Sequence, residues 1–116
     1  MASEKPDSRI PERLVEQSAD VRSAVLIDAA GNLVGASEPD RERARRLAEL
    51  TAELVATVDG ATDGPVEQLE AHADGGSVYA VRDERHVLAC VARRQALPSL
   101  ALYDLRMALA GNGTAE

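Results

Sequence analysis

The chain has 116 residues, 45 % hydrophobic and 28 % charged, which is ordinary for one globular domain and leaves no room for a second. Its formal net charge of −7, from 13 Lys and Arg against 20 Asp and Glu, repels a phosphate backbone; with two Tyr and no Phe or Trp there are no ring platforms for single strands either. Nucleic acid is therefore not an expected partner. The single cysteine, Cys90, excludes an internal disulfide framework, and no apolar run nears the roughly 20 residues of a membrane span.

In chain order, Met1 to Ser8 is polar and reads as a tail. Ser8 is placed to cap a first helix that carries Pro11 in its first turn and Ile10, Leu14 and Val15 on one face. The spacing ends this helix near Ala19 or Asp20. Val21 to Asp28 is a strand ending in an apolar run. Gly31 and Asn32 suit a tight reversal, and Leu33 to Ala36 returns antiparallel.

A long amphipathic helix follows. Ser37 or Asp40 caps it and Pro39 suits its start. Leu47, Leu50, Thr51, Leu54, Val55 and Val58 recur at steps of three and four, which predicts the sheet-facing stripe. Glu42, Arg45, Arg46, Glu49 and Glu53 make the opposite, solvated face. Ala44, Ala48, Ala52 and Ala56 form a row four apart along the flank. Small side chains let another helix approach closely, or let this one lie flat on its own sheet. Gly60 is the expected stop.

Beyond it, Val66 to Ala73 reads as a polar edge strand and Asp74-Gly75-Gly76 as its turn. Val78 to Val81 and Val87 to Ala92 are apolar on both alternating faces, as in strands covered on both sides. Leu97 to Ala110 is helical, opening at Pro98 and stopping at Gly111. The order is α-β-β-α-β-β-β-α. The fold class is α+β: one domain, with a five-stranded antiparallel sheet between helices, one long helix on one side and two on the other. The expected divisions are a tail at 1–8, the domain at 9–111 and a tail at 112–116.

Catalytic chemistry is sparse. His72 and His86 stand alone in or beside hairpins and read as solvated. Cys90 lies in a strand covered on both faces and reads as a small apolar side chain. No nucleophile, metal or phosphate-loop motif occurs, so no catalytic residue, metal or cofactor is expected and the chain is not read as an enzyme. Asp59, Asp63, Gly64 and Glu70 fall at positions 1, 5, 6 and 12 of a calcium loop. Ala61 removes the ligand at position 3, Pro65 stiffens position 7 and no exit helix follows, so calcium is not expected.

The hairpin Val21 to Ser37 with its LID-AA-GNLVGAS run, the Ala/Leu-rich helix Asp40 to Asp59, and the segment from Val78 to Leu109 resemble the Roadblock family. The resemblance covers roughly Ile10 to Gly111. It implies Roadblock-like, profilin-like layers and a non-enzymatic dimeric adaptor in bacterial signalling that binds and regulates a small Ras-like GTPase. It also implies pairing with itself or with a related Roadblock protein, through the middle edge strand and the long helix. On this sequence that places Ala44, Ala48, Thr51, Ala52, Val55, Glu67, Leu69 and Ala71 at the dimer interface. Arg45, Arg46, Glu49 and Glu53 become the candidate GTPase contacts. Membrane insertion is not expected, the predominance of Arg over Lys and the many Ala suit a bacterial genome, and the expected location is cytoplasmic. The competing reading is a small-molecule sensory domain, PAS-like or profilin-like, without a GTPase partner.

Overall fold

A turn that only a positive backbone angle can close sets the first hairpin. Gly31 sits at φ +90°, a conformation that costs glycine nothing and an L side chain a steric clash. Asp28 accepts hydrogen bonds at Oδ1 from the backbone N–H of Ala30 and of Asn32, both at 2.9 Å, which fixes the loop from the inside. On either side run β1, Val21–Asp28, and β2, Leu33–Ala36, in the ranges the sequence gives. The computed structural model describes residues 8–61 and 67–111.

The other elements are α1 (Ile10–Gln17), α2 (Arg41–Ala61), β3 (Gln68–Ala73), β4 (Gly76–Arg82), β5 (His86–Ala92) and α3 (Pro98–Ala110). Their order is the expected α-β-β-α-β-β-β-α. All strand pairs are antiparallel and the sheet order is β2-β1-β5-β4-β3. The late strand β5 thus enters between β1 and β4, and β2 and β3 become the edges.

Several boundaries differ from expectation, each for a local reason. Ser8 does not cap α1; Arg9 stands at the cap position and its side chain makes no capping hydrogen bond, Pro11 lies in the first turn, and the helix ends at Gln17. Ser37 does not cap α2 either. Its hydroxyl accepts from the Ala24 N–H at 2.9 Å, prolonging the β1–β2 pairing. Asp40 is the cap, accepting at Oδ1 from Glu42 N–H at 2.9 Å and Arg43 N–H at 3.2 Å. Gly60 does not stop α2, which runs on to Ala61. β4 gains a residue or more at each end, and β5 begins at His86 rather than Val87.

Period-two alternation along the strands divides the core. On one face Ala24, Leu26, Tyr79, Val81, Leu88, Cys90 and Ala92 pack with Ile10 and Leu14 of α1 and with Ala101, Leu102, Leu105 and Leu109 of α3. On the other face Val25, Ile27, Ala80, Val87 and Ala89 pack with Ala48 of α2, rimmed by Ala36, Leu47, Ala52, Val55 and Leu69. So α2 covers one side and α1 with α3 the other, as the sequence predicts.

The orientation of α2 is a correction. Its most buried residues are Ala44, Ala48 and Thr51, while Leu50 is 54 % exposed. The strands opposite are themselves lined by Ala80 and Ala89, and small faces on both sides permit close approach. The alanine row lies flat on the chain's own sheet in its first half, and the leucines stand at the rim. The hydroxyl of Thr51 donates to the Leu47 carbonyl at 2.8 Å, so the polar group on this buried face is satisfied.

Candidate interaction surface

β3 bonds only to β4, so its outer backbone is an open edge among the described residues. Unpaired strand edges are templates for pairing with another chain. The side chains of β3 alternate between two different environments. Leu69 and Ala71 point to the α2 side, where register also brings Val78 of β4 opposite Val91 of β5. α2 packs chiefly on β1 and β2, so Leu69, Val78 and Val91 stay half-buried and Ala71 exposed. With Leu50 exposed and Leu47, Leu54 and Val58 half-buried on α2, this side carries an apolar surface next to an open edge.

The opposite side of β3 is polar. Glu70 Oε2 lies 3.0 Å from His72 Nε2, and His72 Nδ1 lies 2.8 Å from the buried Ser77 hydroxyl. The His72 ring meets Tyr79 edge-on at 5.8 Å, and Gln68 accepts from Arg106 of α3. His72 is exposed, as expected. Glu67, placed in the strand by the sequence reading, precedes it, and its carbonyl accepts from the Arg82 N–H at 2.9 Å. Val66, expected to open the strand, lies outside the described residues.

On α2, Arg45, Arg46, Glu49 and Glu53 are all exposed on the outer face. The expected interface residues separate. Ala44, Ala48 and Thr51 are 2 to 5 % exposed in the single chain, so they have almost no area left to bury against another. Ala52 and Val55 are half-buried, and Leu69 and Ala71 lie at the edge. Leu50 and Leu54, with Val78 and Val91, complete the apolar surface. The strand pattern pointed at Val78 and Val91, but only the position of α2 reveals that their side is left partly open.

A cleft of about 620 Å³ lies between the end of α2 and the turns β1–β2 and β4–β5. Two of its charged residues pair with each other, and two more accept from backbone N–H groups. Arg82 donates from both terminal nitrogens to Asp59, at 2.6 and 2.9 Å, and this carboxylate holds the guanidinium above its ordinary range. Asp83 accepts from the backbone N–H of Arg85 and His86. The Asn32 N–H, first among several donors, holds Asp28 below the usual carboxylate range. His86 is buried at the start of β5, not solvated as expected. Among the described residues no Ser, Thr or Cys lines the cleft. Cys90 is 1 % exposed and burial pushes its thiol up to about 12, the state of an inert core side chain. Of the calcium-loop residues, Asp59 is helical and bound to Arg82, Glu70 faces His72, and Asp63 and Gly64 lie outside the described residues. Among the described residues no helix is long and apolar enough to cross a membrane.

An antiparallel five-stranded sheet with one long helix on one face, two on the other and an open edge defines a class shared by Roadblock domains and profilins. The model of the Roadblock/LC7 domain matches residues 12–93, and the chain belongs to that family. It is similar to the Roadblock/LC7 domain from Streptomyces avermitilis, with a TM-score of 0.82 at 22 % identity over 90 % of this chain and 92 % of that one. It is similar to Myxococcus xanthus MglB, with a TM-score of 0.75 at 19 % identity over 89 % of this chain and 81 % of that one. Acanthamoeba castellanii profilin II shares the fold more distantly, with a TM-score of 0.61 at 12 % identity over 89 % of this chain and 93 % of that one. No curated protein sequence matches the chain.

Proposed function

We propose that the chain is a non-enzymatic, dimeric adaptor of bacterial signalling that binds and regulates a small Ras-like GTPase in the cytoplasm. The observation that carries this reading is the open β3 edge beside apolar side chains left partly uncovered on the α2 side. Edge-to-edge pairing of two β3 strands would continue the sheet, and Leu69, Ala71, Leu50 and Leu54 would lose exposed apolar area as it forms. Glu70 is met by His72 within its own chain, which softens the like-charge contact that pairing of two copies creates. Family membership supports the GTPase as partner. The exposed mixed charges Arg45, Arg46, Glu49 and Glu53 suit a steered, salt-sensitive contact.

The test joins light scattering at micromolar concentration with calorimetric titration of the Ras-like GTPase encoded nearest to the gene, in its GTP and GDP forms. The expected results are a dimeric mass and an affinity that depends on the nucleotide. Arg45→Glu with Arg46→Glu should weaken the GTPase and leave the dimer intact. A strict monomer, or no GTPase binding in either form, overturns the reading.

A further inference from the structure

The outer face of α3 carries more exposed apolar surface than its place in the fold explains. Six large hydrophobic residues are exposed in the described chain, and four of them are here: Leu97 at 64 %, Leu100 at 51 %, Tyr103 at 52 % and Met107 at 55 %. They are not overspill from the core. Ala101, Leu102, Leu105 and Leu109 form the buried side of α3, and a pitch of 3.6 residues puts Leu100, Tyr103 and Met107 diametrically opposite, at i, i+3 and i+7. A helix that is apolar on both sides is ordinarily covered on both.

The surrounding charges select the occupant. Arg106 flanks the stripe on the helix, and Arg93 and Arg94, both exposed, lie in the turn just before Leu97. The one acid of α3, Asp104, is half-buried and accepts from the Ser18 hydroxyl at 3.0 Å. In a chain of net charge −7 the immediate rim of this stripe is therefore basic. A second copy fits poorly. At about half exposure, four side chains of roughly 200 Å² each present on the order of 400 Å², about half of the roughly 800 Å² a stable partner contributes. A two-fold axis across the stripe would also bring Arg106 towards its own symmetry mate. A short segment needs less area and supplies the opposite charge.

We propose that the outer face of α3 docks an amphipathic helical segment of another protein, with apolar anchors at helical spacing flanked by Asp or Glu. The segment lies along α3 as one more helix of that layer, on the sheet face opposite to α2. This proposal does not depend on the GTPase reading, which uses the α2 face and the β3 edge.

The test uses two labelled synthetic helices with the same Leu stripe, one flanked by Glu and one by Lys, titrated with the full chain and followed by fluorescence anisotropy. The expected result is saturable binding of the Glu helix, at least tenfold tighter than the Lys helix and weakened by salt. Leu100→Ser with Met107→Ser, at exposed positions that leave the core intact, should reduce that affinity at least tenfold. Arg93→Glu with Arg94→Glu should abolish the preference for Glu over Lys while circular dichroism stays unchanged. Absence of saturable binding, or binding indifferent to both pairs of substitutions, overturns the proposal. So does a fall in the assembly mass of the Leu100/Met107 variant, which would make the face a contact between copies. Equally, binding of phosphatidylglycerol vesicles that this variant loses would assign the face to lipid and overturn it.

Discussion

On one side of the sheet, Leu26, Tyr79 and Leu88 interlock with side chains from two helices, Leu105 among them; on the other, Ala80 and Ala89 meet the alanines of a single helix. The first side is a deep core of large residues. The second is thin and depends on close approach between small ones. Among the described residues the thick side holds the one fully buried aromatic ring, Tyr79, whereas the thin side ends in half-buried Leu69, Val78 and Val91. Stability is concentrated where side chains are large, and the apolar area that the sheet itself leaves open lies where they are small. The surface read as a self-association site is thus the unfinished half of the thinner core.

The sharpest way to break that comparison is a charge beneath α2. Ala48→Glu buries a carboxylate at a position 2 % exposed, with no partner. It should unfold the chain in a thermal melt, while Ala56→Glu, on the exposed part of the same row, should shift stability by less than about 0.5 kcal/mol. On the thick side, Leu105→Ala removes a side chain at 0 % exposure and should cost about 3 kcal/mol in urea unfolding.

The joint between α1 and the sheet edge comes next. A Cβ at Gly35 would stand 2.2 Å from the Ser8 carbonyl oxygen, so Gly35→Ala must push the start of α1 away, at about 2 kcal/mol. Cys90 gives a pH signature of the thick side. Its folded pKa, about 12, is raised from the ordinary 9.0. Its contribution is therefore whole below pH 9 and is lost as pH rises towards 12, by about 1 kcal/mol at pH 10. Denaturant midpoints of Cys90→Ala should lack that slope. The smallest effect belongs to the brace between α2 and β4. Asp59→Asn should cost about 1 kcal/mol or less and should do so less at high salt, because the Arg82 and Asp59 side chains keep 20 % and 32 % of their exposure.

Much of this architecture is legible in the chain itself, because hairpin turns and strand alternation are local. Asp28, Gly31 and Asn32 announce the first reversal, and both its strands fall where the sequence puts them. The rotation of α2 is not legible, because hydrophobicity ranks Leu above Ala while the sheet below, lined by Ala80 and Ala89, rewards closeness over size. Nor is the burial of His86, which depends on how early the turn held by Asp83 releases the chain into β5. Of the interface residues read from the sequence, Leu69 and Ala71 stand at the edge. Ala44, Ala48 and Thr51 do not, because which side of a small-residue row meets the sheet is a property of the partner surface. Pairings such as Ser18 with Asp104, 86 residues apart, leave no local trace at all.

Only two rings absorb near 280 nm in this protein, and the fold has put them in opposite situations. Tyr79 is 1 % exposed beneath α3, and Tyr103 is 52 % exposed on its outer surface. With no tryptophan to mask them, their emission and ultraviolet dichroism separate into a signal from the interior and a signal from the rim. A Tyr103→Phe variant leaves the interior probe alone, and the difference from the parent isolates the other. Loss of tight packing and arrival of a partner at α3 can therefore be watched independently, in one cuvette, without a dye.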